Sequence, residues 1–237
     1  MPRLLVTRPA DDAAPLVARL QELGIDSIVS PILEIEYIDG TDLDLSGVQG
    51  VLLTSANGVR ALAHRTQRRD MPCYAVGDAT ARQAETCGFT AIQSANGDVD
   101  DLARLVAAHC DPDAGVLLHA AGSVTAGDLA AMLAPQNFSV RREMLYDAKM
   151  VETLPPEAVK ALQGAALDGV VLYSPRTAKH FNDLVEKAGL AAALGRLTLF
   201  ALSENVDNAA GDAWGKRIIA THPDQESLLQ AVRTCYY

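Results

Sequence analysis

The sequence predicts an α/β protein built from two related lobes, each a parallel sheet flanked by helices. Three observations carry that expectation. Apolar runs of four or five residues alternate with stretches of helical periodicity, the pattern of parallel strands covered on both faces. The strand–loop–helix units then recur in order. Gly50-Val51-Leu52-Leu53-Thr54-Ser55 returns as Gly169-Val170-Val171-Leu172-Tyr173-Ser174, and Tyr74-Ala75-Val76-Gly77 as Phe200-Ala201-Leu202-Ser203. Asp98 to Leu102, with Val106, returns as Asp224 to Leu228 with Val232; the last two pairs share one offset of 126 residues (74 to 200, 98 to 224). Finally, an opening unit from Leu4 to Val29 resembles Val116 to Val140, with Leu16, Leu20 and Ile28 against Leu129, Leu133 and Val140. Solenoid repeats run roughly 20–50 residues, so the long offset reads as duplication of a whole domain. Two lobes leave a cleft between them, the expected place for a small ligand.

Each unit can be justified in turn. Leu4-Leu5-Val6 leads through Thr7-Arg8-Pro9 into a helix with Leu16, Val17, Leu20 and Leu23 at helical spacing. Gly24 supplies a left-handed C-cap before Ile28-Val29. Val51-Leu52-Leu53 passes through Thr54-Ser55-Ala56-Asn57 into a helix carrying Val59, Leu62 and Ala63. Tyr74-Ala75-Val76 passes through Gly77-Asp78 into a helix over Ala79 to Cys87, closed by Gly88. Val116-Leu117-Leu118, Val170-Val171-Leu172 and Leu199-Phe200-Ala201-Leu202 repeat the plan. Two stretches break it. Ile32 to Ile38 alternates and Met144 to Glu152 is extended, and neither leads quickly into a helix, so both read as connections rather than core strands.

Composition narrows the function. Of 237 residues, 49% are hydrophobic and only 5% aromatic, the balance of aliphatic sheets under Ala-rich helices. No apolar run approaches the roughly 18–20 residues that span a bilayer. The start, Met1-Pro2-Arg3 running straight into a strand, predicts a cytoplasmic protein without a secretory leader. A net charge of −10 argues against a nucleic-acid partner, which would demand a basic face. Cys73, Cys87, Cys110 and Cys235 have neither C-x-x-C spacing nor disulfide density.

Several familiar constellations are absent. Gly122 to Gly127 has phosphate-loop spacing, but Asp128-Leu129 stands where Lys-Ser/Thr must follow. No G-x-G-x-x-G follows a strand, and the five histidines show no metal-ligand spacing. Asp11-Asp12 and Asp100-Asp101 sit where carboxylates favour a helix N-terminus. What recurs is a set of small polar loops at the carboxyl ends of the expected strands. These are Thr7-Arg8, Thr54 to Asn57, Gly77 to Thr80, Ala121 to Ser123, Ser174 to Thr177 and Ser203 to Asn205. Open α/β sheets bind ligands there, and helix N-termini present free N–H groups to anions. Each Ser, Thr or Asp could equally be an N-cap alone; the concentration of such loops in both halves favours a polyanionic ligand.

Along these same residues the chain resembles the uroporphyrinogen-III synthase family. The matching segments are Val6 to Pro9, Leu53 to Val59, Val76 to Ala81, Leu145-Tyr146, Tyr173 to Ala178 with Phe181, Ala201 to Glu204, and Pro223 to Leu229. The resemblance covers nearly the whole chain in order. It implies two lobes joined by a two-stranded antiparallel connection with the ligand cleft between them: residues 1–35 with 150–237, and residues 36–149. It also implies a monomer with no metal and no organic cofactor, acting on hydroxymethylbilane, a small-molecule polycarboxylate.

Such an enzyme closes the linear tetrapyrrole with loss of water while inverting ring D, in haem biosynthesis. Loss of the terminal hydroxyl leaves an azafulvene that closes unaided to the unrearranged isomer, so the task is to hold the chain for attack by the substituted position of ring D. The expected substrate-binding residues are Thr7, Arg8, Ser55, Ala56, Gly77, Thr80, Gly122, Ser123, Ser174, Arg176, Thr177, Ser203 and Asn205. Tyr146 matches the tyrosine considered for assisting hydroxyl departure. His119 to Ser123 lacks the arginine often found in that loop of the family, so backbone amides must supply most donors. The alternatives are a two-lobed protein that binds a small anion or tetrapyrrole as a sensor without catalysis, and a flavodoxin-like or transferase domain pair.

Overall fold

The computed structural model describes residues 1–124 and 127–237. They fall into two compact units, Met1–Glu34 with Lys149–Tyr237, and Ile35–Ala148.

The chain opens on β1 (Arg3–Val6), whose Leu4, Leu5 and Val6 are fully buried. α1 (Ala10–Glu22) follows, with Asp11 and Asp12 in its first turn, where their charge suits the helix dipole. Gly24 at φ 69° then turns the chain into β2 (Asp26–Val29), parallel to β1; a left-handed residue here favours glycine because it has no Cβ to clash. β3 (Leu33–Tyr37) alternates between half-buried and exposed residues. Next come β4 (Val48–Leu53), α2 (Ala56–Arg65), β5 (Pro72–Ala75), α3 (Asp78–Thr86), β6 (Ala91–Ser94) and α4 (Val99–His109). β7 (Val116–Gly122), the short α5 (Leu129–Leu133) and β8 (Val140–Met150) follow. The chain ends with α6 (Pro156–Gln163), β9 (Gly169–Leu172), α7 (Pro175–Lys187), β10 (Thr198–Ala201), α8 (Glu204–Ala209), β11 (Lys216–Ile219) and α9 (Gln225–Tyr236).

The helix starts repeat along with the strands. Ser55 caps α2 and Ser174 caps α7, each accepting from the N–H three residues on. Asp98 caps α4 and Asp224 caps α9 in the same way. A side-chain cap of this kind contributes roughly 1 kcal/mol by satisfying an orphan N–H.

Among the described residues, the first unit carries a sheet in the order β2-β1-β9-β10-β11 and the second a sheet in the order β3-β8-β7-β4-β5-β6. Matching β1 and β2 to β7 and β8, and β9, β10 and β11 to β4, β5 and β6, makes the two orders identical apart from β3. The strand pair that opens one unit closes the other. That cyclic permutation explains why the opening unit repeats out of step with the rest. Residues alternate across each sheet into two cores. Leu5 joins Phe181, Leu199 and Trp214 on one face, while Leu4 and Val6 join Leu16, Phe200 and Val232 on the other. In the second unit Val51 and Leu53 pack with Val59 and Leu62, and Leu52 with Leu102, Val106 and Leu129.

One expectation needs refining. Met144 to Glu152 does carry the chain from one unit to the other, between Ala148 and Lys149, but its start is also core strand: β8 begins at Val140 and pairs in parallel with β7, from Leu117 opposite Val140 to Gly122 opposite Tyr146. Leu145 and Tyr146 are buried, and that burial draws this half of the strand into the sheet. β3 lines the other side of β8. Ile38 N–H donates to Leu145 O at 2.8 Å and Val151 N–H to Ile32 O at 3.2 Å, so residue numbers rise along one strand as they fall along the other.

The repeated glycines have a packing reason. A Cβ on Gly50 would lie 2.8 Å from the ring of Tyr74, and one on Gly169 would lie 3.0 Å from the ring of Phe200 and 2.6 Å from Thr198 O. Each glycine makes room for the aromatic residue on the neighbouring strand. Gly169→Ala must displace backbone as well as a ring, and should lower stability by about 1–3 kcal/mol. Urea unfolding checks this; an unchanged midpoint would contradict the close packing.

Candidate active site

The sheet order reverses between β7 and β4 in one unit and between β1 and β9 in the other. The chain after each member of such a pair leaves toward the opposite face. α2 packs through Val59 and Leu62 on one side of its sheet, while α5 packs through Leu129 and Leu133 on the other. α7 packs through Phe181 and Leu184, and α1 through Leu16 and Leu20, on opposite sides of theirs. Diverging connections open a crevice at the carboxyl ends of the two strands.

In the second unit that crevice is lined by hydroxyls. Ser55 follows β4, and its Oγ accepts Gly58 N–H at 3.0 Å and lies 2.9 Å from the hydroxyl of Tyr146. Tyr146 is buried, with its ring over Gly122, where a Cβ would come within 2.5 Å of it. α2 presses on the end of β7 closely enough that a Cβ on Gly58 would meet Ala120 O at 2.6 Å. Thr54 Oγ1 lies 3.2 Å from His119 Nε2. Burial, with the positive charge of Arg142 adding to it, pushes the His119 imidazole down to about 4, while Asp128 partly opposes the shift. The ring is therefore neutral at physiological pH. Ser123 is held by β8: its N–H donates to Tyr146 O at 3.0 Å, and its hydroxyl donates to Asp147 at 2.5 Å.

In the first unit, the Thr7 hydroxyl is buried and donates to Val171 O at 3.2 Å. Arg8 stacks 4.2 Å over the Tyr173 ring, 3.4 Å from Asp12 and 3.5 Å from Gln225 Oε1. Burial raises the Tyr173 phenol above its ordinary range, and Arg8 offsets part of that rise. Ser174 caps α7 through Thr177 N–H at 3.1 Å, and its hydroxyl lies 2.8 Å from that of Thr177. Arg176 lines a recess of about 480 Å³ with Met150, Pro175, Lys179, His180 and Asp183. Ser203 and Asn205 line another, of about 540 Å³, at the carboxyl ends of β10 and β11.

The structure thus groups Ser55, Gly122, Ser123 and Tyr146 in one crevice, and Thr7, Arg8, Ser174 and Thr177 in the other. The expected loops are shorter than the sequence suggests. Ala56, Thr80, Thr177 and Asn205 lie inside the first turns of α2, α3, α7 and α8, and Gly122 is the last residue of β7. Thr80 is buried, and only Gly77 remains outside α3 as its cap. Thr125 and Ala126 of the phosphate-loop-like spacing lie outside the described residues. Helix starts are still donors: among the described residues, the N–H groups of Ala56 and Asn57 in α2 and of Asp78 and Ala79 in α3 have no acceptor within the protein. Sequence reasoning passed over His119, Tyr173 and Arg142. A histidine inside the apolar run Val116 to Ala121 was the available sign of a buried, bonded imidazole. Among the described residues, no cluster of three His, Cys, Asp or Glu could hold a metal, and no helix is long and apolar enough to cross a membrane.

His119 makes stability depend on pH in a defined direction. Between about pH 6.5 and about 4 the unfolded chain binds a proton that the folded ring refuses. Stability from this group is complete above the upper value and falls by about 3 kcal/mol toward the lower one. His119→Gln should flatten that part of the profile in urea midpoints measured across the window. Parallel slopes for the two proteins would contradict a neutral, buried ring.

Comparison with known proteins follows the same lines. The family model described as uroporphyrinogen-III synthase HemD matches residues 14–230. A uroporphyrinogen-III synthase of Chlorobaculum parvum is 29% identical, with 86% of this chain and 89% of that protein covered. The crystal structure of uroporphyrinogen-III synthetase from Helicobacter pylori 26695 superposes with a TM-score of 0.64 at 14% identity, over 99% of this chain and all of that one. A mutant uroporphyrinogen III synthase from the extremely thermophilic bacterium Thermus thermophilus gives 0.57 at 18% identity, over 99% of this chain and 97% of that one. The structural likenesses speak for the fold, and the sequence match across nine-tenths of the chain speaks for descent: this chain belongs to the uroporphyrinogen-III synthase family.

Proposed function

We infer that the chain is a uroporphyrinogen-III synthase, a cyclising lyase that converts hydroxymethylbilane to uroporphyrinogen III with inversion of ring D and loss of water. The observation that carries this is family membership across residues 14–230. The crevice at the ends of β4 and β7 supports it with residues suited to the chemistry.

The reacting end of the substrate must lose a hydroxyl and be kept from closing directly. Tyr146, whose hydroxyl is shared with Ser55, is the proposed aid to that departure. Loss of the hydroxyl as water leaves an azafulvene. The substituted carbon of ring D attacks it to form a spiro intermediate, which reopens and recloses in the inverted sense. Orientation in a water-poor crevice does most of this work, since the competing closure needs no help. The neutral His119 fits the same picture: it bonds Thr54 and adds no charge beside the reacting end.

The substrate's carboxylates are proposed to meet backbone N–H groups at the starts of α2 and α3, and Arg176 and Asn205 beside their recesses. Arg8, Ser123 and Thr7 act differently in this reading. Each is bonded within the fold, so they shape the ends of β1 and β7 and leave the amides to make the contacts. The protein is proposed to work as a cytoplasmic monomer.

Freshly generated hydroxymethylbilane, with the product isomers resolved, tests the activity: the type III isomer is expected, and type I alone would leave a binding protein without catalysis. Tyr146→Phe should reduce kcat about tenfold, the worth of one hydrogen bond of about 1.4 kcal/mol in the transition state. Full turnover in that variant would remove the phenol from the chemistry.

A further inference from the structure

Arg142 is a cation that the fold holds in place without neutralising. It projects from β8, in register with His119 on β7, and its guanidinium donates to Gly122 O at 2.5 Å and toward Ser123 O at 3.5 Å. Both acceptors are main-chain carbonyls. Among the described residues no carboxylate pairs with it. The nearby acids have donors of their own: Asp147 takes the Ser123 hydroxyl, and Asp128 takes Ala131 N–H as the cap of α5. Arg142 lines a recess of about 350 Å³ with His119, Ser123, Gly127 and Asp128. Its positive charge is strong enough there to oppose protonation of His119.

An exposed arginine that merely stapled a loop would gain nothing from lacking a counter-ion. In a chain of net charge −10, a fixed and unpaired guanidinium at the end of β7 is a place where an anion binds better than elsewhere. We propose that Arg142 is a specificity-determining residue that binds one carboxylate side chain of the tetrapyrrole substrate from the recess beside Gly122 and Ser123. The proposal rests on the synthase reading above and adds to it a binding residue contributed by β8. Two carbonyls already orient the guanidinium, so little side-chain freedom remains to be lost when a carboxylate arrives.

Arg142→Gln removes the charge but leaves an amide able to donate to Gly122 O, so a purely structural role would survive it. With hydroxymethylbilane as substrate, KM for this variant should rise about tenfold while kcat changes much less. The rise of KM with added salt should be shallower than in the wild type, because one screened contact is gone. Arg142→Lys should stay within about threefold of the wild-type KM and keep its salt dependence. An unchanged KM in Arg142→Gln overturns the proposal, as does a KM raised tenfold or more in Arg142→Lys; the second outcome decides the matter alone if the glutamine variant does not fold. Wild-type protein yielding only the type I isomer would sink the synthase reading itself, which is a different result from either of these.

Discussion

A parallel strand cannot return by a hairpin; the chain must cross back over one face of the sheet before the next strand begins. The crevice at the centre of each sheet follows from that constraint. At β4 and β7, and at β1 and β9, the crossings leave for opposite faces of the sheet. Hydroxyls, helix starts and the Tyr146 ring gather at those diverging ends. Hydrophobic faces on both sides of each sheet supply the stability: Leu4 and Leu5 are adjacent in sequence, yet each belongs to a different core.

Duplication supplied two versions of this arrangement, and they have diverged. Ser55 and Ser174 are matching caps at matching crevices, but Ser55 shares its hydroxyl with Tyr146 whereas Ser174 pairs with Thr177. The end of β7 carries Gly122, flat enough to seat an aromatic ring; the end of β1 carries Arg8, stacked on Tyr173 and tied to Asp12. In both crevices the side-chain hydroxyls are largely bonded within the fold, but the partners differ: Ser55 meets Tyr146 in one, while in the other the buried Tyr173 hydroxyl has no hydrogen-bond partner among the described residues. On the proposed reading, an acidic protein binds its polyanion largely through fixed N–H dipoles, which cost no side-chain entropy to place.

Much of the fold was legible because its signals are local. Apolar runs gave the strands, Ser and Asp gave the helix starts, and Gly24 gave a turn. What the sequence hid depends on contacts between distant segments. β8 looks like a connection until Leu145 and Tyr146 are seen to be buried against β7. Loop lengths were overstated because a cap and a first helical turn carry the same small polar residues; Ala56 and Asn205 are helical although the sequence places them in loops. At the site, Ser55 and Tyr146 lie 91 residues apart, and nothing local announces their hydrogen bond. Arg142 was invisible for the same reason: its meaning lies in the two carbonyls it meets and the carboxylate it lacks.

The central claim is that helix-start amides beside the β4–β7 crevice receive the substrate's carboxylates. Titrating ¹⁵N-labelled protein with the reaction product, under anaerobic conditions that keep the macrocycle reduced, reads those amides directly. The N–H resonances of Ala56, Asn57 and Ala79 should move downfield and saturate with one affinity. Saturable binding that leaves all three in place, with shifts confined to other strand ends, would contradict the account.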